Sequence, residues 1–348
     1  MSKVSKKLLL MVAVLALVGG FAANVCAEAK LKVGLVFDVG GRGDQSFNDS
    51  AYRGLKWAEK LGIQHTEIEP GADADRETGL RMIATQGYDL VIGVGFLFTD
   101  AIKAVADEFP ETKFAIVDGF IPDKANVSSL LFTEHDGSFL VGIIAAMKAQ
   151  ELGKNTVGFV GGMDVPLIHK FEAGYKAGVQ HVDPKLKILS DYAGTTPSAF
   201  ADPVKGKELA LAQVDKGAAV LYHAAGLTGA GVFEAAKERK TFVIGVDSNQ
   251  NHLGHIKDSG ENYGLTSMLK QVDVAVFLTI RDLMDGKFTA GVRSFGLKDS
   301  VELDGKVYKG VYYAMDEYNK DLVSADMIKK VTEAEKKIVA GEIKVPEK

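Results

Sequence analysis

The sequence predicts an α/β protein built from two doubly wound, parallel-sheet lobes. Short apolar runs rich in Val, Ile and Phe alternate with longer amphipathic stretches, a pattern typical of βαβ units. The alternation extends over about 320 residues, more than a single hydrophobic core usually serves. It also restarts near residue 157, so we expect two successive lobes.

Residues 1–27 have the pattern of a secretory signal peptide. Three lysines within the first seven residues form a basic head, and residues 8–18 form an apolar run too short to cross a bilayer. We expect cleavage after Ala27 and a periplasmic product. The alternative is a lipid anchor on Cys26, although the residues before it fit a lipobox poorly.

Charge and cysteine content exclude several classes of function. The net charge is −5 at pH 7 and becomes about −8 once the basic leader is removed, so no nucleic-acid partner is expected. Cys26 is the only cysteine, which excludes an intramolecular disulfide and a cysteine-based metal site.

The first lobe is expected to begin with a strand at 33–37 and a helix at 47–61 that ends near Gly62. Further strands are predicted at 64–68, 90–94, 114–117 and 127–132, with helices at 76–85 and 99–108. A helix at 137–149 then leads towards the second lobe.

The second lobe repeats the pattern from a strand at 157–160. Its other strands are predicted at 186–189, 219–222, 242–246 and 265–268, and its helices at 169–180, 204–215 and 232–238. A helix at 271–285 is expected to return to the first lobe, and an amphipathic helix at 325–339 ends the chain. We expect one lobe at 28–146 plus about 271–302 and the other at about 147–270 plus 303–348, joined by a hinge. This predicted arrangement resembles the architecture of type I periplasmic binding proteins.

Candidate ligand groups follow the first strand, because ligands of parallel sheets meet the carboxyl ends of the strands. Asp38 ends that strand, and the glycines after it allow a tight turn. Ser46 and Asp49 suggest the N-cap and N3 positions of a capping box, which would place Phe47 and Asn48 at the sheet edge. An acid and an aromatic at one strand end favour a ligand site over a buried turn.

Later strands end in similar groups. The carboxylate of Asp118 can accept hydrogen bonds from a base or a sugar, although such a residue also serves as a turn or cap acid. Phe171 begins a helix, and core packing there competes with a place in the cleft. Phe200 precedes a predicted helix start, and Gly226 ends another strand.

Two further strands end in Asp247 and Lys270. A carboxylate from one loop and an ammonium from another suit vicinal hydroxyls, as on a ribose, although Asp247 alone could equally be a turn acid. The glycines at 93–95 do not form a dinucleotide-binding motif, and the acids near Asp38 lack calcium-loop spacing. No cofactor and no metal are therefore expected.

Several short motifs together resemble the BMP family of substrate-binding lipoproteins, which includes the PnrA-like purine nucleoside receptors of ABC transporters. The motifs are Asp38-Val-Gly-Gly, Ser46-Phe-Asn, Phe171-Glu with Gly174-Tyr, Ala225-Gly-x-x-Gly-x-Gly-Val, Gly245-Val-Asp and Gly341-Glu-Ile-Lys-Val-Pro.

This resemblance implies a bilobed type I binding protein with a purine nucleoside, such as guanosine, inosine or adenosine, in its cleft. Phe47 would stack on the base, and Asp118 would bind its polar edge. Asp247 and Lys270 would hold the ribose, with the remaining polar candidates nearby. The second aromatic wall would come from Phe171 or Phe200. The implied protein partner is an ABC permease of the inner membrane, and the implied state is a monomer.

Two other functions compete with solute binding. A secreted nucleoside-acting enzyme is disfavoured, because the sequence contains no G-x-S-x-G nucleophile elbow and no cysteine after Cys26. A periplasmic protein that presents its ligand to a sensory receptor would use the same cleft. The sequence does not separate that role from transport.

Overall fold

A computed structural model describes residues 30–72 and 74–348 of the chain. The signal peptide predicted at 1–27 and the proposed lipid site at Cys26 lie outside these residues. Within the described part, no helix combines the length and the apolar character that crossing a bilayer requires.

The described residues form the α/β architecture that the sequence predicts. The strands are β1 Lys32–Val36, β2 Gln64–Ile68, β3 Leu90–Val94, β4 Lys113–Val117, β5 Val127–Phe132, β6 Thr156–Met163, β7 Lys187–Gly194, β8 Val220–Ala224, β9 Phe242–Asp247, β10 Gly264–Lys270, β11 Gly291–Phe295, β12 Ser300–Leu303, β13 Lys306–Lys309 and β14 Val311–Tyr313. The α-helices are α1 Phe47–Ala58, α2 Asp75–Thr85, α3 Thr99–Glu108, α4 Glu134–Glu151, α5 Pro166–Val182, α6 Pro203–Asp215, α7 Gly229–Arg239, α8 Val272–Met284 and α9 Ala325–Val339.

Two six-stranded sheets form the centres of the two lobes. The first has the order β2-β1-β3-β4-β5-β11, and all its neighbouring strands are parallel. The second has the order β7-β6-β8-β9-β10-β14, with only β14 antiparallel to its neighbour. The central strand β3 is buried along its whole length, as expected of a strand with helices on both faces of its sheet.

The chain passes between the lobes three times, after β5, after β10 and between β11 and β14. Helix α4 packs on α5 and β10 of the second lobe, whereas α8 packs on α1 of the first. The boundary that the sequence suggests at residue 146 therefore falls inside α4, and the packing favours a boundary near Thr133. The burial of α4 on both of its faces explains why its sequence shows little amphipathic signal.

The helices and strands predicted for the two lobes are present with shifted ends, but β11 to β14 were not predicted. These strands are only three to five residues long, and in β11 and β12 exposed residues alternate with partly buried ones. Such edge strands lack the long apolar run that indicates a buried parallel strand. Helix α5 begins three residues before its predicted start, because Pro166 occupies its first turn.

Candidate functional site

A cavity lies where the carboxyl ends of the two sheets face each other, and both lobes line it. It encloses about 60 Å³, and the space between its walls extends to about 550 Å³ where it opens to solvent. All nine residues predicted from the sequence line this cavity: Asp38, Phe47, Asn48, Asp118, Phe171, Phe200, Gly226, Asp247 and Lys270. The first lobe also contributes Val39, Asp44, Gly95 and Phe96, and the second contributes Leu167, Ile168, Ala224, Ala225 and Val246.

The predicted N-cap position of Ser46 and N3 position of Asp49 are confirmed, but the capping-box hydrogen bond from the Ser46 side chain is absent. Asp44 accepts the backbone N–H groups of Asn48 and Asp49 instead, at 2.8 and 3.1 Å. A carboxylate two residues before the N-cap therefore satisfies the free donors of the first turn, and the Ser46 hydroxyl is available for another partner.

Asn48 lines the cavity, but its amide is already engaged. Its Oδ1 accepts the backbone N–H of Asp38 at 2.9 Å, and its Nδ2 donates to the Val39 carbonyl at 3.3 Å and to Asp44 at 3.1 Å. These partners also determine the orientation of the amide. Both donors of Asn48 are thus used to hold the turn that carries Asp38.

Asp38 lies beside that turn with only 9% of its side chain exposed. Its Oδ1 accepts the Val39 N–H at 2.8 Å and lies 3.4 Å from the Arg76 guanidinium. Burial raises the pKa of Asp38 to about 6, although the Val39 N–H and Arg76 act against this rise. Gly95 lies directly behind the carboxylate, with a φ of +111°, and a Cβ there would come within 2.0 Å of Asp38 Oδ2. Glycine at this position is therefore required for the packing of Asp38.

Lys270 is at the centre of the polar wall. Its Nζ lies 2.5 Å from Asp118 Oδ2 and 3.5 Å from Asp247 Oδ1, and only 3% of its side chain is exposed. Asp118 directly follows β4 and Asp247 ends β9, each a central strand of its sheet. Both aspartates have positive φ angles, +61° for Asp118 and +62° for Asp247. Residues with a Cβ rarely adopt this conformation, so the surrounding structure must hold both carboxylates in place.

The position of Asp118 does not support separate sets of residues for the base and for the ribose. The resemblance assigns Asp118 to the base edge and the other two groups to the ribose, yet all three belong to one cluster around the Lys270 ammonium. Among the described residues, Asp118 Oδ1 and Asp247 Oδ1 lack a hydrogen-bond partner. Each can therefore accept an N–H or O–H from a ligand.

A further carboxyl group, Glu134 at the start of α4, is buried near this cluster but does not line the cavity. Burial and then the charge of Asp118 raise the pKa of Glu134 to about 8. Burial opposes the charge on Lys270, but Asp118 and Asp247 hold its pKa above the ordinary value. The cluster therefore combines a charged ammonium with a glutamic acid that remains largely protonated at neutral pH.

Aromatic rings surround the ammonium. The centroids of Phe47, Phe171 and Phe132 lie 4.5, 5.4 and 5.5 Å from Lys270 Nζ. Such contacts stabilise a cation by about 0.5–2 kcal/mol each. Phe132 was not predicted, although it ends a predicted strand and its position there is the signal that could have identified it.

Phe171 and Phe200 differ in burial. Only 2% of Phe171 is exposed, so its ring is mainly part of the core beside Lys270. Phe200 is partly buried and packs against two glycines. A Cβ at Gly162 would come within 2.4 Å of the Phe200 ring, and one at Gly226 within 3.2 Å of its carbonyl. This geometry favours Phe200 over Phe171 as the aromatic side of the second lobe.

Comparisons with known proteins agree with this architecture. The family model of PnrA-like ABC transporter substrate-binding proteins matches residues 31–348. The ABC transporter nucleoside-binding protein BmpA of Lactococcus lactis subsp. cremoris is 34% identical over 338 residues, covering 92% of this chain and 90% of that protein. An uncharacterized lipoprotein of Pyrococcus abyssi is 37% identical over 306 residues, 84% of this chain and 73% of its own length.

The fold has a close counterpart among solved structures. The crystal structure of an ABC transporter solute-binding protein from Aeropyrum pernix K1 superposes with a TM-score of 0.79 at 33% identity. The superposition covers 91% of this chain and 94% of that one. The likeness therefore extends over both lobes and the cleft between them.

Proposed function

Because the chain belongs to the family of PnrA-like ABC transporter substrate-binding proteins, we propose that it binds a purine nucleoside in the interlobe cavity and delivers it to an ABC permease. The family is one of binding proteins, and the proposal contains no catalytic step. The nucleoside-binding relative from Lactococcus lactis supports this class of ligand.

The observation that carries the proposal is the position of Phe47 beside the Asp118–Lys270–Asp247 cluster. A nucleoside joins a flat, polarisable base to a sugar with vicinal hydroxyls, and the cavity offers an aromatic face next to buried acceptors and a donor. Asp247 and Lys270 would bind the ribose, while the free oxygen of Asp118 would accept from the base. Because one ammonium contacts both carboxylates, recognition of base and sugar would be coupled.

The base would stack between Phe47 of the first lobe and Phe200 of the second. Aromatic contacts of this kind contribute about 0.5–1.5 kcal/mol each beyond burial. Asp38 would add an acceptor from the first lobe. Asn48, whose amide is already engaged, would position Asp38 rather than contact the ligand.

Isothermal titration calorimetry with a panel of nucleosides tests the proposal. We expect heat of binding with guanosine, inosine or adenosine, and none with ribose alone or with free amino acids. Heat with a sugar or an amino acid but with no nucleoside would contradict the ligand class and leave the family assignment intact. The glycosidic bond should remain intact on prolonged incubation, and released free base would contradict a purely binding role.

The family places the protein outside the cytoplasm. The lipoprotein relative from Pyrococcus abyssi favours membrane attachment, and we propose Cys26 as the lipidated residue. Detergent phase partitioning of the protein from its own membranes tests this. Wild type should enter the detergent phase, whereas a Cys26→Ser variant should not. Equal partitioning of both into the aqueous phase would favour cleavage after Ala27.

A further inference from the structure

The loop that connects β1 to α1 in the first lobe is anchored in the second lobe. Ser46 in this loop is fully buried. Its Oγ donates to Asp247 Oδ2 at 2.7 Å, and its carbonyl accepts from Ser248 Oγ at 2.8 Å. Asp247 ends β9 of the second sheet and Ser248 follows it, so one serine connects the two lobes through its side chain and its backbone.

Gln45, the residue before Ser46, makes a second connection between the lobes. Gln250 Nε2 donates to the Gln45 carbonyl at 3.1 Å. The Gln250 side chain is itself held within the second lobe, because its Oε1 accepts the Val246 N–H at 2.8 Å. Gln45 has a φ of +52°, an uncommon conformation for a residue with a Cβ, which points to a constraint imposed by its surroundings.

Arg53 of the first lobe makes a third connection between the lobes. Arg53 on α1 donates to Ser248 Oγ at 3.1 Å and to Asp273 Oδ2 at 3.1 Å. Asp273 lies at the start of α8, just after the chain has crossed back to the first lobe. Ser248 is therefore held between a carbonyl and a guanidinium, both from the opposite lobe.

Asp247 connects these contacts to the cavity. One of its oxygens accepts from Ser46, and the other faces Lys270 and the candidate ligand space. Ser46 does not line the cavity itself. Any effect of Ser46 on a ligand must therefore act through Asp247 or through the separation of the lobes.

We propose that Gln45, Ser46, Ser248 and Gln250 form an interlobe clasp that raises the fraction of molecules with apposed lobes and positions Asp247 for binding. Ser46 is the central positioning residue, because it is the one member of this clasp that contacts both Asp247 and Ser248. The part of this inference that concerns affinity rests on the proposed function, whereas the part that concerns lobe separation does not.

The clasp has a distinctive thermodynamic consequence. If only molecules with apposed lobes bind tightly, the apparent affinity falls in proportion to their population. Weakening the clasp then lowers the affinity for every ligand by the same factor. A residue that touches the ligand would instead change the ranking of ligands.

Small-angle X-ray scattering of the ligand-free protein is the first test. Ser46→Ala removes the hydroxyl that reaches Asp247, and we expect its radius of gyration to exceed that of wild type. Ser128→Ala is the matched control, because Ser128 is equally buried in β5 and its Oγ has no hydrogen-bond partner among the described residues. If Ser46→Ala does not fold, Ser248→Ala is measured in its place, because it removes a single hydrogen-bond donor from the opposite lobe.

Calorimetry on the same variants gives the second readout. We expect Ser46→Ala and Ser248→Ala to weaken binding of all active nucleosides by one common factor, about 2- to 10-fold, as for the loss of one hydrogen bond. An unchanged radius of gyration in both variants would overturn the clasp. If the radius increases but no nucleoside binds to any protein, the clasp is supported and the proposed ligand is wrong.

Discussion

The ammonium of Lys270, at the end of a strand in the second lobe, lies 2.5 Å from the carboxylate of Asp118, at the end of a strand in the first. This ion pair spans the cleft and is buried at both ends. Removing one partner of a buried pair leaves the other charge uncompensated, which is far more costly than losing a surface ion pair. The pair is therefore both a candidate ligand group and part of what holds the lobes together.

Replacing Lys270 with Met should destabilise the protein by about 3–5 kcal/mol at pH 7, because Asp118 and Asp247 would be left buried without their counter-ion. The loss should become smaller at pH 5, because burial raises the pKa of Asp118 and an Asp118 carboxyl without its counter-ion takes up a proton more readily at lower pH. Urea denaturation at both pH values measures the effect. Lys103→Met, at an exposed position on α3, should change stability by less than about 0.5 kcal/mol. A similar small effect for both variants would contradict the role of the ion pair.

Glu134 should make the protein less stable as the pH rises from 6 to 8. Its pKa is about 8 in the folded protein, above the ordinary value of 4.5, so in this range the folded state keeps a proton that the unfolded state has lost. Stability should therefore fall by up to about 1.4 kcal/mol per pH unit and level off above pH 8. Asp38 and Asp44 have pKa values of about 6 in the folded protein, so their own loss of stability with rising pH falls mainly below pH 6.

Urea midpoints of wild type and Glu134→Gln at pH 6, 7 and 8 check this dependence. The glutamine keeps the shape of the neutral side chain, so its stability should vary less with pH than that of wild type. Parallel curves for the two proteins would show that Glu134 does not carry the buried proton.

The two phenylalanines of the second lobe should respond differently to truncation. Phe171→Ala should lower the free energy of unfolding by about 3–5 kcal/mol, because the ring is buried in the core. Phe200→Ala should mainly weaken nucleoside binding, with a much smaller loss of stability. Thermal unfolding and calorimetry on both variants separate the two roles. Weaker binding in Phe171→Ala at unchanged stability would reverse the assignment.

Asn48→Ala should lower both stability and affinity, although the Asn48 amide is not proposed to contact the ligand. The change leaves the Asp38 N–H and the Val39 carbonyl without their present partner, at a cost of about 1–3 kcal/mol for each buried group. The loss of affinity should follow from a displaced Asp38. In a double-mutant cycle with Asp38→Asn, the two effects on binding should therefore be far from additive. Additive effects would instead indicate that Asn48 contacts the ligand directly.

Much of the candidate site was predictable because parallel strands of one sheet present their carboxyl ends at the same edge. Asp38, Asp118, Asp247 and Lys270 all follow or end such strands, and the structure brings them to one cavity. The two lobes were predictable for a related reason, because the alternation of apolar runs and amphipathic stretches is a local property of the chain. The short edge strands β11 and β14 have no such signal, since they pair with β5 and β10, which are far away in sequence. Strands β12 and β13 pair with each other across Asp304 and Gly305, and this Asp-Gly turn is a local hairpin signal that was not used.

The sequence by itself identified nine of the residues that reach the cleft, whereas only the tertiary structure decided which other residues line it and which of them pair. Asp118 and Lys270 are 152 positions apart, and Ser46 and Asp247 are 201 positions apart. Such contacts depend on how the two sheets face each other, which no local periodicity encodes. Burial is not encoded locally either, and it places Phe171 in the core and leaves Phe200 at the cavity. Nor does the sequence show that Ser46, which stands in a cap-like motif, makes a contact between the lobes.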